Sequence, residues 1–162
     1  MQSCLNAGLR FLAYRPRSEA EMRARLKKRG YDEAEIEKTV EHLKKINLLD
    51  DAAFAEYWKT NRAEHRPRGQ RLLTAELRQK GLERGVIQAA VENVDDLAGA
   101  YRAAQRKARS CQGLDYLQFR RKLGDFLQRR GFDFGVTQLT VKRFWEEQHG
   151  EAPADEPAES EI

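Results

Sequence analysis

A chain of 162 residues with 40% hydrophobic side chains has the apolar material for a packed core, which excludes a wholly disordered protein. All 30 basic side chains lie in residues 1–150, whereas five of the 26 acids (Glu151, Asp155, Glu156, Glu159 and Glu161) crowd into residues 151–162, so the formal net charge of +4 resolves into a body of about +9 and an acidic tail. Two cysteines, Cys4 and Cys111, are too few for a disulfide framework and stand at no metal-ligand spacing. No run approaches membrane-spanning length and no basic segment leads into an apolar N-terminal stretch, so a cytoplasmic protein is expected.

Six Val, four Ile and five Thr leave little to build strands, while Ala, Arg, Leu, Glu, Lys and Gln favour helix. Apolar positions recur at helical spacing: Met22 and Leu26 before Gly30; Ile36, Val40 and Leu43; Leu97, Tyr101, Ala104, Ala108 and Cys111; Tyr116, Phe119, Leu123 and Phe126/Leu127. An all-α chain of nine helices is predicted, at roughly 3–15, 18–29, 33–46, 51–65, 69–80, 84–93, 96–111, 116–130 and 134–148. Pro16 and Pro67 disfavour helical geometry at Arg15 and Arg66 and so end the first and fourth helices. Ser18-x-x-Glu21 and Asp32-x-x-Glu35 have the form of capping boxes. Asp50 or Asp51, and Asp95 or Asp96, supply caps for the helices that follow. Gly30, Gly81 and Gly131 suit the left-handed residue that closes a helix.

The punctuation repeats. Arg15-Pro16-Arg17-Ser18 returns 51 residues later as Arg66-Pro67-Arg68-Gly69, and the same shift carries Met22, Leu26, Gly30, Ile36 and Val40 onto Leu73, Leu77, Gly81, Ile87 and Val91. A further shift of 50 reaches Leu123, Leu127, Gly131 and Val141, with Thr137 replacing the Ile and no Arg-Pro-Arg lead-in. The expected architecture is therefore three tandem three-helix repeats, residues 1–49, 50–94 and 95–149, forming an elongated, curved array. Residues 150–162, with Pro153, Pro157 and the acids, are expected to be a disordered tail.

No catalytic constellation emerges, and an enzyme is not expected. Phosphate-loop and dinucleotide motifs are absent. His42, His65 and His149 are isolated from one another and from the cysteines, and His65 reads as a helix C-terminal residue. The paired aspartates sit at helix starts, where they complement the dipole. Cys111 reads as a buried thiol. No metal or cofactor is called for. The basic clusters remain: Arg15 and Arg17; Lys27 and Lys28; Arg62, Arg66, Arg68 and Arg71; Arg102, Arg106, Lys107 and Arg109; Arg120, Arg121 and Lys122. Taken singly, each suits a solvated helix face. Taken together, they recur at the same junctions in the first two repeats, and a stacked array would carry them as one basic face suited to a polyanionic filament. Trp58, a helical turn from Phe54, reads as core rather than as a base-stacking residue.

Several of these stretches carry a resemblance. Arg15 to Leu26 (Arg-x-x-Ser-x-x-Glu-x-x-x-x-Leu), Leu49-Asp50-Asp51-x-x-Phe54, and Gly69 to Leu82 with Glu76-Leu77-x-x-Lys80-Gly81-Leu82 resemble the RecX family over about residues 5–149. Asn47 stands where the family usually has Gly, a substitution the left-handed conformation tolerates. The acidic tail lies outside the shared pattern. The resemblance implies a monomeric protein of three-helix repeats that lies in the groove of the RecA–single-stranded DNA filament and restrains strand exchange, ATP hydrolysis and co-protease action. It offers no catalytic residues. The alternative from charge alone is a helical-repeat module that binds nucleic acid without a recombinase.

Overall fold

The computed structural model describes residues 2–153, and within them the regular structure is helical throughout. The helices are α1 (Gln2–Leu12), α2 (Glu19–Lys28), α3 (Glu33–Lys45), α4 (Asp51–His65), α5 (Gln70–Gln79), α6 (Arg84–Val91), α7 (Asp96–Lys107), α8 (Tyr116–Arg129) and α9 (Phe134–His149), with a short 3-10 turn at Ala108–Cys111. None of these is long and apolar enough to cross a membrane. Of the expected tail, residues 154–162 lie outside the described region.

The expected start and stop residues do their work. Ser18 and Asp32 each accept the N–H three residues on, while Glu21 and Glu35 return to the cap residue's N–H, completing both capping boxes. Asp50 Oδ1 accepts the Ala53 N–H at 3.2 Å and Asp95 Oδ1 the Ala98 N–H at 3.0 Å, so the first aspartate of each pair is the cap. Asp51 instead accepts the Glu19 N–H at 2.9 Å, joining the start of α4 to the start of α2. Gly30, Gly81 and Gly131 have φ of 92°, 80° and 89°, and Asn47 takes φ 59° after α3.

The chain divides into two compact units. The first comprises residues 1–66 and 70–94; the second comprises residues 95–162 together with Pro67–Gly69. The first unit holds two cores. Cys4, Met22, Leu26, Ile36, Val40, Leu43 and Leu49 close the α1–α3 triplet, and Phe54, Ala55, Leu77, Leu82, Ile87 and Ala90 close α4–α6. The second unit buries Ala100, Ala103, Ala104, Cys111, Phe119, Leu123, Leu127, Phe132, Val141 and Phe144. Each core places apolar side chains from three helices at 3.6-residue spacing, the arrangement the sequence period requires.

Three expectations are corrected. Helix α1 stops at Leu12 rather than at residue 15: the last helical-type bond is Ala13 N–H to Leu9, and the chain must then extend to reach the Ser18 cap (φ −74°, ψ 159°) past Pro16. The seventh helix does not run through to residue 111 but tightens into the 3-10 turn from Ala108, with the Ser110 hydroxyl donating to the Lys107 carbonyl at 2.8 Å. Leu97, which falls on an apolar stripe at helical spacing, is 50% exposed. Gly99, Ala100, Ala103 and Ala104 are the buried face of α7 instead, and Phe132 packs in the same core, within ordinary contact distance of Gly99.

Candidate functional site

A network of charged side chains lies in the first unit, where α2 meets the α5–α6 turn. Ser18, fully buried, donates its hydroxyl to the Lys80 carbonyl at 2.7 Å while its oxygen caps α2. Lys80 in turn reaches Glu21 Oε1 at 3.0 Å, and Arg15 grips the same carboxylate with both Nη atoms at 2.7 and 3.3 Å. A second carboxylate, Glu76 on α5, accepts from Trp58 Nε1 at 2.8 Å and Arg62 Nε at 3.2 Å. The Trp58 ring stacks on Phe54 with centroids 5.9 Å apart, and three cations lie over it: Arg62 at 4.5 Å, Lys80 at 5.0 Å and Arg15 at 5.9 Å. Beside them Arg17 lies 3.9 Å over Phe11, donating Nε–H to the Phe11 carbonyl, and Arg25 lies 5.2 Å from the same ring.

The local fold explains why these groups converge. Pro16 turns the chain so that Arg15 and Arg17 flank the capping box, whose Glu21 is shared between α2 and Lys80. Five cations, Arg15, Arg17, Arg25, Arg62 and Lys80, face two carboxylates, so the patch retains positive charge. Burial and the neighbouring Arg15 draw the Arg17 guanidinium below its ordinary value, yet an arginine so placed stays protonated. Burial pushes the Glu21 carboxyl upward, but hydrogen bonds from Arg15, the Ser18 N–H and Lys80, with the Arg15 charge, outweigh it and hold the group below its usual range. Burial also raises Asp51, with the opposite effect on stability.

These directions set an acid response. A lowered Glu21 stabilises the fold above its unfolded value of about 4.3, and that contribution is lost as pH falls through the folded value. The raised Asp51 works the other way, since its protonation at low pH relieves a buried charge. Comparing wild type with Glu21→Gln isolates the first effect: the variant's stability, measured by urea unfolding from pH 7 to pH 3 (about the range that brackets free carboxylates), should fall less on acidification. Equal slopes for the two proteins would contradict the pairing.

The expected basic residues do not all meet. Arg15, Arg17 and Arg62 join the patch. Lys27 and Lys28 project exposed from the last turn of α2, and Arg66 and Arg71 are exposed at the end of α4 and the start of α5. Arg68 is half-buried and belongs, with Pro67 and Gly69, to the second unit. Within that unit Arg102, Arg106 and Arg109 are exposed on α7 and its 3-10 extension, and Lys107 lies 5.4 Å over Phe126. Lys122 donates to the Ser110 carbonyl at 2.6 Å, and Arg120 and Arg121 border a groove between α8 and α9. Lys80, Arg25, Glu21 and Glu76 were not singled out by charge clustering. Trp58, read as core, packs on the α4–α6 core with one face and carries cations on its ring.

Three family models match the chain in order: the RecX first three-helix domain over residues 4–43, the second over 50–91 and the third over 94–139. The chain belongs to the RecX family. A regulatory protein RecX from Chlorobaculum tepidum is 37% identical over 140 residues, covering 86% of this chain and 87% of its relative. One from Mycobacterium sp. (strain KMS) is 37% identical over 134 residues, covering 76% and 72%. Among solved structures, RecX from Lactobacillus salivarius superposes with a TM-score of 0.74 at 18% identity, over 88% of this chain and 94% of that one. The all-α tandem-repeat fold is thus shared with RecX. The Arg15–Trp58–Lys80 patch sits where the first and second RecX three-helix domains meet, both of them in the first unit.

Proposed function

We propose that this RecX-family chain binds the RecA filament on single-stranded DNA and restrains its strand exchange, ATP hydrolysis and co-protease activity, and so regulates recombination and DNA repair. The reading carries no catalytic step: it needs a folded surface of excess positive charge, offered to a polyanionic polymer from the cytoplasm by a monomer. Family membership supports the partner, and the cation-capped Trp58 patch supports the surface. Five cations set against two carboxylates leave positive charge to contribute to a phosphate-rich ligand. Arg66, Arg71, Lys27 and Lys28 would extend that surface in the first unit; Arg102, Arg106, Lys107, Arg109, Arg120, Arg121 and Lys122 would supply basic contacts from the second, with Arg68.

The test is RecA-catalysed ATP turnover on single-stranded DNA with the protein added at increasing ratio to RecA. A falling rate with shortening filaments is expected; an unchanged rate with unchanged filament length would refute the proposal. A second reading, direct binding of nucleic acid without a recombinase, is favoured by the excess of cations over carboxylates in the patch, a charge that naked phosphates would also attract. It predicts tight association with naked DNA, falling about tenfold or more over a few-fold rise in salt.

A further inference from the structure

The third repeat carries an open apolar groove. A groove of about 590 Å³ runs between α8 and α9, lined among others by Tyr116, Leu117, Gly124, Phe134, Thr137 and Leu139. Leu117 is 72% exposed, Phe134 63% and Leu139 58%, an apolar exposure that a helical repeat normally keeps for a partner. The register of the repeats explains the opening. Gly124 stands where the first two copies have Arg23 and Thr74, and Thr137 stands where they have Ile36 and Ile87. Thr137 is only 4% exposed, and its hydroxyl has no hydrogen-bond partner, an unmet polar group in the wall of an apolar groove. Arg120, Arg121 and Lys142 border the same groove, which Asp125 also lines, and Lys142 lies 3.9 Å from Glu146 on α9.

We infer that this groove receives the chain's own acidic segment, residues 151–162. Charge and reach both point to it. The segment holds five acids and no base, together with Ala152, Pro153, Ala154, Pro157, Ala158 and Ile162 as apolar contacts. It opposes the three basic side chains along the groove's border. It leaves α9 at Gly150, whose φ of 85° and ψ of −150° end the helix and let the chain change direction. Twelve extended residues reach about 40 Å, whereas α9, whose first residue Phe134 marks the far end of the groove, is only about 24 Å long. The segment can therefore run back along the whole groove, and tethering gives it a high local concentration there. Occupied in this way, the basic border of the third repeat would be withheld from other anions until they displace the tail. Salt should weaken the contact.

The full-length chain tests this directly. A nitroxide on Ala158→Cys labels the tail selectively, because Cys4 and Cys111 are buried. Relaxation of the Leu117 and Leu139 methyls and of the Phe134 ring then reports proximity. Strong enhancement at Leu139 and Phe134 is expected in about 50 mM salt, dropping roughly fivefold in about 500 mM. It should drop likewise when Asp155, Glu156, Glu159 and Glu161 are replaced by their amides, and when Gly124→Leu fills the groove. Enhancement confined to Tyr116 and Trp145, the neighbours of the tether point, and indifferent to salt and to the amide changes would overturn the inference. So would enhancement gathered on Trp58 and Arg62 instead. The measurement needs neither RecA nor DNA, so its outcome is independent of the proposed filament binding.

Discussion

Gly81→Ala should cost the first unit about 3 kcal/mol, more than other single methyl additions to an exposed turn. Two effects add. Gly81 has φ 80°, where an L side chain is strained by about 1–2 kcal/mol. A Cβ built there would stand 2.4 Å from the Ala20 Cβ on α2, which no rotamer change can relieve. The turn must shift, and with it the Lys80 carbonyl that accepts from Ser18 and the Lys80 ammonium that reaches Glu21. Unfolding followed by Trp58 emission in a Trp145→Phe background reads this unit alone, since the chain's two tryptophans fall in different units. Ala20→Gly removes the clashing atom but not the backbone strain. The double variant Ala20→Gly/Gly81→Ala should therefore recover about 1–2 kcal/mol relative to additivity, the coupling expected of groups in contact. Strict additivity would show that the two atoms do not meet.

Arg62→Gln with Lys80→Gln should weaken association with RecA–single-stranded DNA about tenfold and reduce the salt dependence by about two counterions' worth. The argument rests on charge held in place. Both cations lie over Trp58, with side chains 22% and 28% exposed, so they are ordered but still within reach of a ligand. Removing both cations should lower the thermal midpoint and alter Trp58 emission, because Glu21 and Glu76 lose partners and the ring loses two charges, so binding is compared at a temperature where far-UV circular dichroism shows both proteins folded. Glu76→Gln is the contrasting variant: it removes a carboxylate, leaves every cation, and should keep binding within about threefold of wild type or tighten it. If Glu76→Gln weakens binding as much as the cation variant, the patch acts through the fold and not through its charge.

Much of this fold is legible in local chemistry. The capping boxes at Ser18 and Asp32, the left-handed Gly30, Gly81 and Gly131, and the helical spacing of Met22 and Leu26 each depend on residues within one or two turns, so sequence order suffices to find them. Errors came where distant parts of the chain decide. Leu97 has the period of a core residue but is half exposed, while the smaller Gly99, Ala100, Ala103 and Ala104 make the buried face of α7. The patch shows the same limit. Glu21 could be recognised as a cap, but its second duty to Lys80, 59 residues away, exists only once two repeats pack together. Nothing local in the sequence marks Glu76 as an acceptor for both Trp58 and Arg62, since those donors come from the preceding helix. Runs of basic residues mark positive surface well, and say little about which cations share a carboxylate.

Because each triplet of helices seals an apolar centre of its own, damage has natural firebreaks. A lineage could shorten or lengthen such a chain by whole triplets, redesigning only the residues at a junction, such as Ala20 and Gly81, and leaving every existing interior as it was.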